Sequence, residues 1–186
     1  MVDRDMQDAN LRLEMVLAAR EAGDANYLAG ALKDPDNRHL AALYLVQLGV
    51  LDAAPAIVLL LDASNPLARA NASQALGMLS YTPAAPKLAE VALADTVPYV
   101  RAWAVQALGL LEREAAVPIL LKLLNDPEWR VRLSAVSTLG TLGDQSCVGQ
   151  IDQARRREPP FSGRRHAYRK ALRAIRASGA LALSGR

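Results

Sequence analysis

The sequence predicts an all-α protein, an α-solenoid in which antiparallel helix pairs stack into a right-handed superhelix of about five pairs plus a closing helix. Two observations predict this class. The 186 residues are 52% hydrophobic but only 4% aromatic, which favours closely packed helices of Ala, Leu and Val over a sheet of β-branched and aromatic residues. The chain also repeats, because one arginine recurs at intervals of 31, 32 and 31 residues. These arginines are Arg38, Arg69, Arg101 and Arg132.

The first helix of each repeat is predicted to start at a proline (Pro35, Pro66 and Pro98), with Trp129 at the fourth equivalent position. Proline suits the first turn of a helix because the N–H that it lacks has no intrahelical partner there. A side chain with an acceptor oxygen lies just ahead of each start, where it can cap free N–H groups. These predicted caps are Asp34, Asn65, Thr96 and Asp126.

An apolar stripe follows each start at spacing 0, +3, +4 and +7, which is the pattern of a buried helix face. Gly77, Gly109 and Gly140 come directly after its third position. Since glycine weakens a helix, we expect another backbone to approach closely there. The stripe is Ala41, Tyr44, Leu45 and Leu48 in the first repeat, then Ala72, Ala75, Leu76 and Leu79, then Ala104, Ala107, Leu108 and Leu111, then Ala135, Thr138, Leu139 and Leu142.

The second helix of each repeat is predicted to start at a second residue series in the same register. This series is Pro55, Pro86, Pro118 and Gly149. One helix pair of this kind is too small to bury its own apolar face, so neighbouring pairs must stack. The inward positions are expected at Ile57, Leu88, Leu120 and Ile151, and at Leu60, Val91, Leu123 and Ala154.

The register fails at both ends, where a solenoid needs atypical capping units. We therefore expect a single domain over residues 1–177, with a flexible tail at 178–186. Its parts are an N-terminal capping pair (1–33), four repeats (34–62, 63–94, 95–125 and 126–157) and a basic closing helix (161–177). The closing helix recovers the apolar spacing at Tyr168, Ala171, Leu172 and Ile175.

The strings from Asn125 to Asp144 and from Thr96 to Gly109 resemble a HEAT-like repeat, and most closely the short variety first named for phycobilisome lyases. The resemblance rests on Asp126-Pro127-Glu128-Trp129-Arg130-Val131-Arg132 followed by Leu139-Gly140. It covers about residues 34–154 and is specific for fold rather than for function. It implies that the second helices line the concave face of the solenoid.

The sequence offers few residues for catalysis, so we expect a protein that is not an enzyme and has no catalytic, cofactor-binding or metal-binding residues. The single cysteine, Cys147, takes a position that is alanine in the other repeats, which predicts a small buried side chain. The two histidines, His39 and His166, form no metal-binding motif. No glycine-rich phosphate loop occurs.

The chain shows no export or membrane signal, so we expect a cytoplasmic protein without a membrane partner. Its longest apolar run, from Ala53 to Leu61, contains Pro55 and is far too short for a membrane span. The N-terminal Met1-Val2-Asp3-Arg4-Asp5 has no apolar signal core. A single cysteine fits a reducing compartment.

The repeated arginines are predicted to be structural, because one arginine per repeat at one helix position indicates a repeated contact with an adjacent repeat. Asp95 and Asp126 lie six residues ahead of Arg101 and Arg132 and are their expected partners. Trp129 is expected to cover the boundary between repeats.

The predicted function is a non-catalytic scaffold that binds a protein or peptide segment on the concave face. Residues 55–62 are apolar on almost every side, and a helix exposed on one side needs a cover there. The equivalent surface of the later second helices turns polar and then basic. The expected partner-binding residues are Leu59, Lys87, Glu90, Lys122, Asn125, Gln150 and Gln153, with Trp103 as a further anchor.

The distribution of charge leaves nucleic-acid binding as an alternative function. Residues 1–149 carry 12 Lys/Arg against 17 Asp/Glu, a net charge of −5, whereas residues 150–186 carry 10 against 2, a net charge of +8. Such a basic segment can follow phosphates, cap the solenoid, or pair with the acidic body of a second copy. The residues in question are Arg155, Arg156, Arg165, Arg169, Lys170, Arg173 and Arg176. A third alternative, a bilin lyase or another enzyme on this fold, follows from the family name alone.

Overall fold

The computed structural model describes residues 2–34, 36–112, 114–160 and 162–184, and throughout these ranges the regular structure is helical. The chain divides into two compact units, Met1–Lys87 and Leu88–Arg186. Each unit is described by itself below. Within the described ranges, no helix is both long enough and apolar enough to cross a membrane.

The first unit contains two complete helix pairs and the first helix of a third. Short 3-10 turns, Leu51–Ala53 and Thr82–Ala84, lead into the second helices, and another, Leu60–Asp62, extends α4. The helices are α1 (Val2–Ala22), α2 (Ala25–Ala31), α3 (Arg38–Gln47), α4 (Ala54–Leu59) and α5 (Pro66–Met78), followed by α6 (Ala85–Ala94), whose residues span the boundary between the units.

The second unit contains two complete pairs and the closing helix. The first helices pack side by side, α7 on α9 and α9 on α11, while α8 and α10 pack against the first helix that follows them. The described helices therefore form the predicted five pairs plus a closing helix. Their bounds in this unit are α7 (Pro98–Leu111), α8 (Val117–Leu123), α9 (Trp129–Leu142), α10 (Val148–Arg157) and α11 (Gly163–Ser184).

The predicted helix starts are confirmed at Pro66 and Pro98, whereas Pro35 lies outside the described residues and α3 begins only at Arg38. The second helices start one residue before the predicted position, at Ala54, Ala85, Val117 and Val148. This small displacement leaves the predicted repeat register intact.

The predicted caps are confirmed only in part. Asn65 Oδ1 accepts the N–H of Leu67 at 2.9 Å and is the N-cap of α5. Asp126 instead accepts the N–H of Glu128 at 2.8 Å, so it shapes the turn and leaves Glu128 as the N-cap of α9. The predictions for Asp34 and Thr96 are wrong, because the N-caps of α3 and α7 are Asn37 and Val97. The side chain of Asp34 accepts the N–H of Asp36, which holds the turn ahead of α3.

The buried stripe of the first helices lies one turn earlier than predicted. Positions 0, +3 and +4 are buried in α5, α7 and α9, but the leucines at +7 are at least partly exposed, and Leu48 is 39% exposed. The core instead includes the residues at −4 and +1, where the next helices pack. In α7 and α9 these are Val100, Val105, Val131 and Val136. The predicted inward positions of the second helices are all buried.

The close backbone approach predicted at the helix glycines is confirmed at Gly140, whereas Gly109 meets a side chain. A Cβ on Gly140 would lie 2.9 Å from the Cα of Ala171 in α11, and one on Gly109 would overlap the Thr138 side chain of α9. The first helices of the second unit can therefore pack tightly because glycine stands at these crossings. Gly77 is buried.

The two terminal elements differ in how well they were predicted. The expected N-terminal pair corresponds to α1 and α2, with Val16 and Leu28 buried. The expected end of the closing helix at residue 177 is wrong, because α11 continues to Ser184. The expected flexible tail is therefore helical from 178 to 184, and residues 185–186 lie outside the described residues.

Candidate partner-binding surfaces

Two of the repeated arginines, Arg101 and Arg132, join neighbouring repeats of the second unit. Arg101 is only 8% exposed, and its Nε and Nη2 donate to the two carboxylate oxygens of Asp126 at 2.9 and 2.7 Å. Its Nη1 donates to the backbone carbonyl of Asp95 at 2.8 Å. One guanidinium thus fixes the turn ahead of its own helix and the turn that begins the next repeat.

Arg132 makes the same kind of contact at the end of the second unit. Its Nη1 donates to the Asp126 carbonyl at 2.9 Å, and its Nε donates to Oε1 of buried Glu158 at 2.7 Å. The Tyr168 hydroxyl lies 3.5 Å from the same oxygen. Burial, and then the charge of Glu158, raise the pKa of Tyr168 to about 12, and the hydrogen bond to Glu158 raises the pKa of Arg132.

The structural role predicted for these arginines fits the geometry, and the predicted partners of Arg101 and Arg132 are confirmed, but only through their backbone carbonyls. The aspartate six residues ahead supplies its backbone carbonyl, whereas the carboxylate partner comes from the following repeat. Arg69 likewise donates to the carbonyls of Ala63 and Ser64, at 2.8 and 3.1 Å. The side chains of Arg69, Arg101 and Arg132 are therefore directed into the turns.

The expected partner-binding residues of the second helices lie largely on the surface. Leu59, Glu90, Lys122 and Gln153 occupy one repeat position and all are exposed, and Leu59 is exposed to 73%. Its neighbours Pro55 and Ala56 are exposed too, whereas Ile57 and Leu60 are buried. The helix that was expected to be apolar on almost every side does have an apolar outer face.

The remaining expected residues are also accessible, although some have partners within the protein. Lys87 forms an ion pair with Asp62 at 2.8 Å, and Asn125 accepts a hydrogen bond from Arg157. Gln150 is exposed on α10, and Trp103 is half-buried on α7. Trp103 lies on a first helix, so the structure places it on a different element from the other expected residues.

The basic C-terminal residues fall into two groups. Arg155 and Arg156 pair with Asp152 at 2.8 and 2.9 Å, and Arg165 donates to the Glu158 carbonyl at 2.8 Å. The hydrogen bond from Arg155 is the largest of the contacts that hold the pKa of Asp152 below its usual value. The second group is exposed on α11 and forms no ion pair with the described part of the chain. Its members are Arg169, Lys170, Arg173 and Arg176.

Two grooves beside α9 were not predicted from the sequence. A cavity of about 710 Å³ lies between α9 and α11, and another of about 540 Å³ lies between α7 and α9. Trp129 borders both grooves, with the guanidinium carbons of Arg130 and Arg164 at 4.7 and 5.7 Å from the ring centre. These contacts fit the expected position of Trp129 at a repeat boundary. The sequence signal for the two grooves was the four-residue spacing between Trp129 and Leu133.

The candidate nucleophile Cys147 is buried, and the candidate metal ligand His39 is partly buried. Cys147 is fully buried, as predicted, and burial followed by the charge of Asp144 raises the pKa of its thiol. Partial burial lowers the pKa of His39. Among the described residues, no group of three or more His, Cys, Asp or Glu side chains could hold a metal ion.

Comparison with known proteins shows the family. The HEAT-repeat profile matches residues 25–109 and 85–173. The chain belongs to the HEAT-repeat family. The match confirms the predicted resemblance and extends it beyond residues 34–154 at both ends, and with the helical structure it confirms the predicted all-α solenoid class. No curated protein matches this HEAT-repeat chain in sequence.

Two solved structures share the fold of this HEAT-repeat protein. One comes from the complex of CpcE and CpcF of phycocyanin lyase from Nostoc sp. PCC7120, with 24% identity and a TM-score of 0.64 over 85% of this chain and 98% of that one. The other is an engineered protein, with 18% identity and a TM-score of 0.60 over 87% of this chain and 83% of that one. At these identities the similarity shows the fold alone.

Proposed function

We propose that this HEAT-repeat protein is a non-catalytic scaffold that binds a protein or peptide segment through the solvent-exposed faces of its second helices. The observation that carries the proposal is the apolar outer face of α4, where Pro55, Ala56 and the 73%-exposed Leu59 face solvent. Exposed apolar side chains on one helix face favour burial against a partner because their removal from water is favourable.

The equivalent positions of the later repeats support a protein partner. In the later repeats the position of Leu59 is occupied by Glu90, Lys122 and Gln153. The exposed side chains at this position are therefore apolar in the first repeat, charged in the next two and an amide in the last. Protein interfaces use both apolar and polar side chains. A small molecule would instead require an enclosed pocket at these positions.

The family and the chemistry of the chain support the same proposal. HEAT repeats build extended surfaces from stacked units, and one structural neighbour was solved within a complex of two proteins. The one thiol of the chain is buried, with its pKa raised. A buried thiol of raised pKa is a poor nucleophile, which favours binding over catalysis.

The test is affinity capture from the native source, with and without nuclease, using the wild type and two surface variants. We expect a protein to be retained after nuclease treatment and to be lost with Leu59→Asp and with Lys122→Glu. Met78→Asp on α5 is the control for the first change, because Met78 is also apolar and 54% exposed but lies on a first helix. Lys33→Glu, at an exposed lysine outside the second helices, is the control for the second.

Two results would overturn the proposal. Release of all captured protein by nuclease would show that nucleic acid is the primary partner. Equal loss with the control variants would show that the second-helix faces have no special part in binding. Thermal unfolding of each variant shows whether a loss of binding reflects a loss of fold.

A further inference from the structure

The closing helix α11 is cationic from Arg164 to Arg176. It carries six Lys/Arg residues and no Asp or Glu between Gly163 and Ser184. A helix that only had to keep the end of the protein soluble could carry interspersed charges of both signs. A field of one sign instead attracts a partner of the opposite charge.

Three of these cations border a cleft between α10 and α11. Arg169, Arg173 and Arg176 follow one another at spacings of four and three residues, so they share a face of α11, and all three are exposed. The one carboxylate at the cleft is Asp152, which already pairs with Arg155 and Arg156 at 2.8 and 2.9 Å. The cleft has a volume of about 360 Å³ and is lined by Asp152, Arg155, Arg169, Leu172, Arg173 and Arg176.

This arginine face corresponds to the face on which α9 is covered by α11. The apolar stripe places α11 33 residues after α9, so Arg169 and Arg173 are equivalent to Val136 and Gly140. Val136 is fully buried, and Gly140 lies against Ala171 of α11. Arg169 and Arg173 are exposed instead. Within the described residues this face of α11 is therefore open, and it presents guanidinium groups rather than apolar side chains.

We propose that this arginine cleft binds a carboxylate-rich segment of a partner protein. The proposal deepens the proposed function, on which it rests, by giving the partner a chemical character. Guanidinium groups bind carboxylates through two parallel hydrogen bonds, and the three α11 arginines form no ion pair within the described part of the chain. Their spacing matches carboxylates placed one turn apart on a helix laid against α11.

The size and lining of the cleft favour a protein segment over nucleic acid. From Arg169 to Arg176 the helix rises only about 10 Å, which allows contact with a few charges, whereas duplex binding commonly uses about 6–10 phosphate contacts. The residues that line the cleft include no aromatic side chain on which a base could stack.

The test measures the binding of labelled probes by fluorescence anisotropy at low salt. The first probe is an alanine-based helical peptide with Glu at spacings of four and three residues, the second replaces each Glu with Gln, and the third is an oligothymidylate of about ten nucleotides. We expect the Glu peptide to bind more tightly than both other probes. Arg169→Gln with Arg173→Gln should weaken its binding by about tenfold or more. Lys33→Gln should leave its affinity unchanged within about twofold.

Each other outcome contradicts the inference in a distinct way. Tighter binding of the oligothymidylate would assign the cleft to nucleic acid. If Lys33→Gln weakened binding of the Glu peptide as much as the α11 variant, or if the Glu peptide did not bind, α11 would be interpreted as a solubilising cap. A partner whose capture depends on Leu59 and Lys122 but not on Arg169 and Arg173 would refute this inference and leave the proposed function standing. Unfolding curves for the Gln variants separate lost binding from lost structure.

Discussion

Truncation of Arg101 to alanine tests whether the repeated arginines hold the repeats together. The change removes two hydrogen bonds to the Asp126 carboxylate and one to the Asp95 carbonyl. Asp126 is only 9% exposed, so its carboxylate would be left in a nearly dry site. The N–H of Glu128 would remain as its hydrogen-bond donor, at 2.8 Å.

The expected loss follows from the burial of the pair. Breaking a buried ion pair by removing one partner typically costs about 3–5 kcal/mol, because the remaining charge is desolvated without compensation. For a chain of this length that loss corresponds to a fall in melting temperature on the order of 10 °C. Lys33→Ala, which truncates an exposed cation, should change the unfolding free energy by no more than about 0.5 kcal/mol.

The assay is thermal and urea unfolding of the single variants and of a double variant. Arg101→Ala combined with Asp126→Asn removes both charges, so its cost should fall below the sum of the two single costs by at least about 1 kcal/mol. Additive costs would contradict a direct coupling between the two side chains. An Arg101→Ala protein of wild-type stability that lost only partner binding would refute the structural role altogether.

Three further predictions concern the packing and titration of the second unit. Gly140→Ala should lower the unfolding free energy by about 1–3 kcal/mol because its Cβ would meet the Ala171 backbone. Gly149→Ala, whose Cβ would meet nothing within 4 Å, should be neutral or raise the unfolding free energy by up to about 1 kcal/mol. Equal effects of the two variants on urea unfolding would contradict this packing. Tyr168 should ionise near pH 12, and any stability from its raised pKa should be lost between about pH 10 and 12. If an ultraviolet titration of Tyr168→Phe still shows the tyrosine ionisation near pH 12, the burial of the Tyr168 hydroxyl is refuted. Cys147 should react slowly with a thiol reagent at about pH 8 and quickly after unfolding, and a fast reaction in the native protein would show that the thiol is accessible.

The sequence was sufficient to predict the repeat architecture because the register is carried by residues of distinct chemistry. Arginine, proline and leucine recur at fixed offsets, and each offset marks the same position in every helix pair. The displacement of the buried stripe from +7 to −4 was not predictable in this way. It depends on how neighbouring helices pack along each first helix, which the spacing within one helix does not contain.

The contacts of the candidate surfaces depend on the stacking of repeats, which is not encoded in local spacing. Asp126 lies six residues ahead of Arg132 in sequence, but its carboxylate pairs with Arg101 because successive turns lie next to each other in space. The exposure of Leu59 was predictable, since an apolar outer face follows from the helical pattern alone. The arginine cleft required the structure to show which cations already have partners.

Oxidative footprinting of the protein in complex with its captured partner tests the central claim most directly. Leu59 and Met78 are both exposed apolar residues of the first unit, but Leu59 lies on a second helix and Met78 on a first helix. If the second-helix faces bind the partner, labelling of Leu59 should fall on complex formation while labelling of Met78 stays unchanged. Protection of Met78 with undiminished labelling of Leu59 would contradict the account.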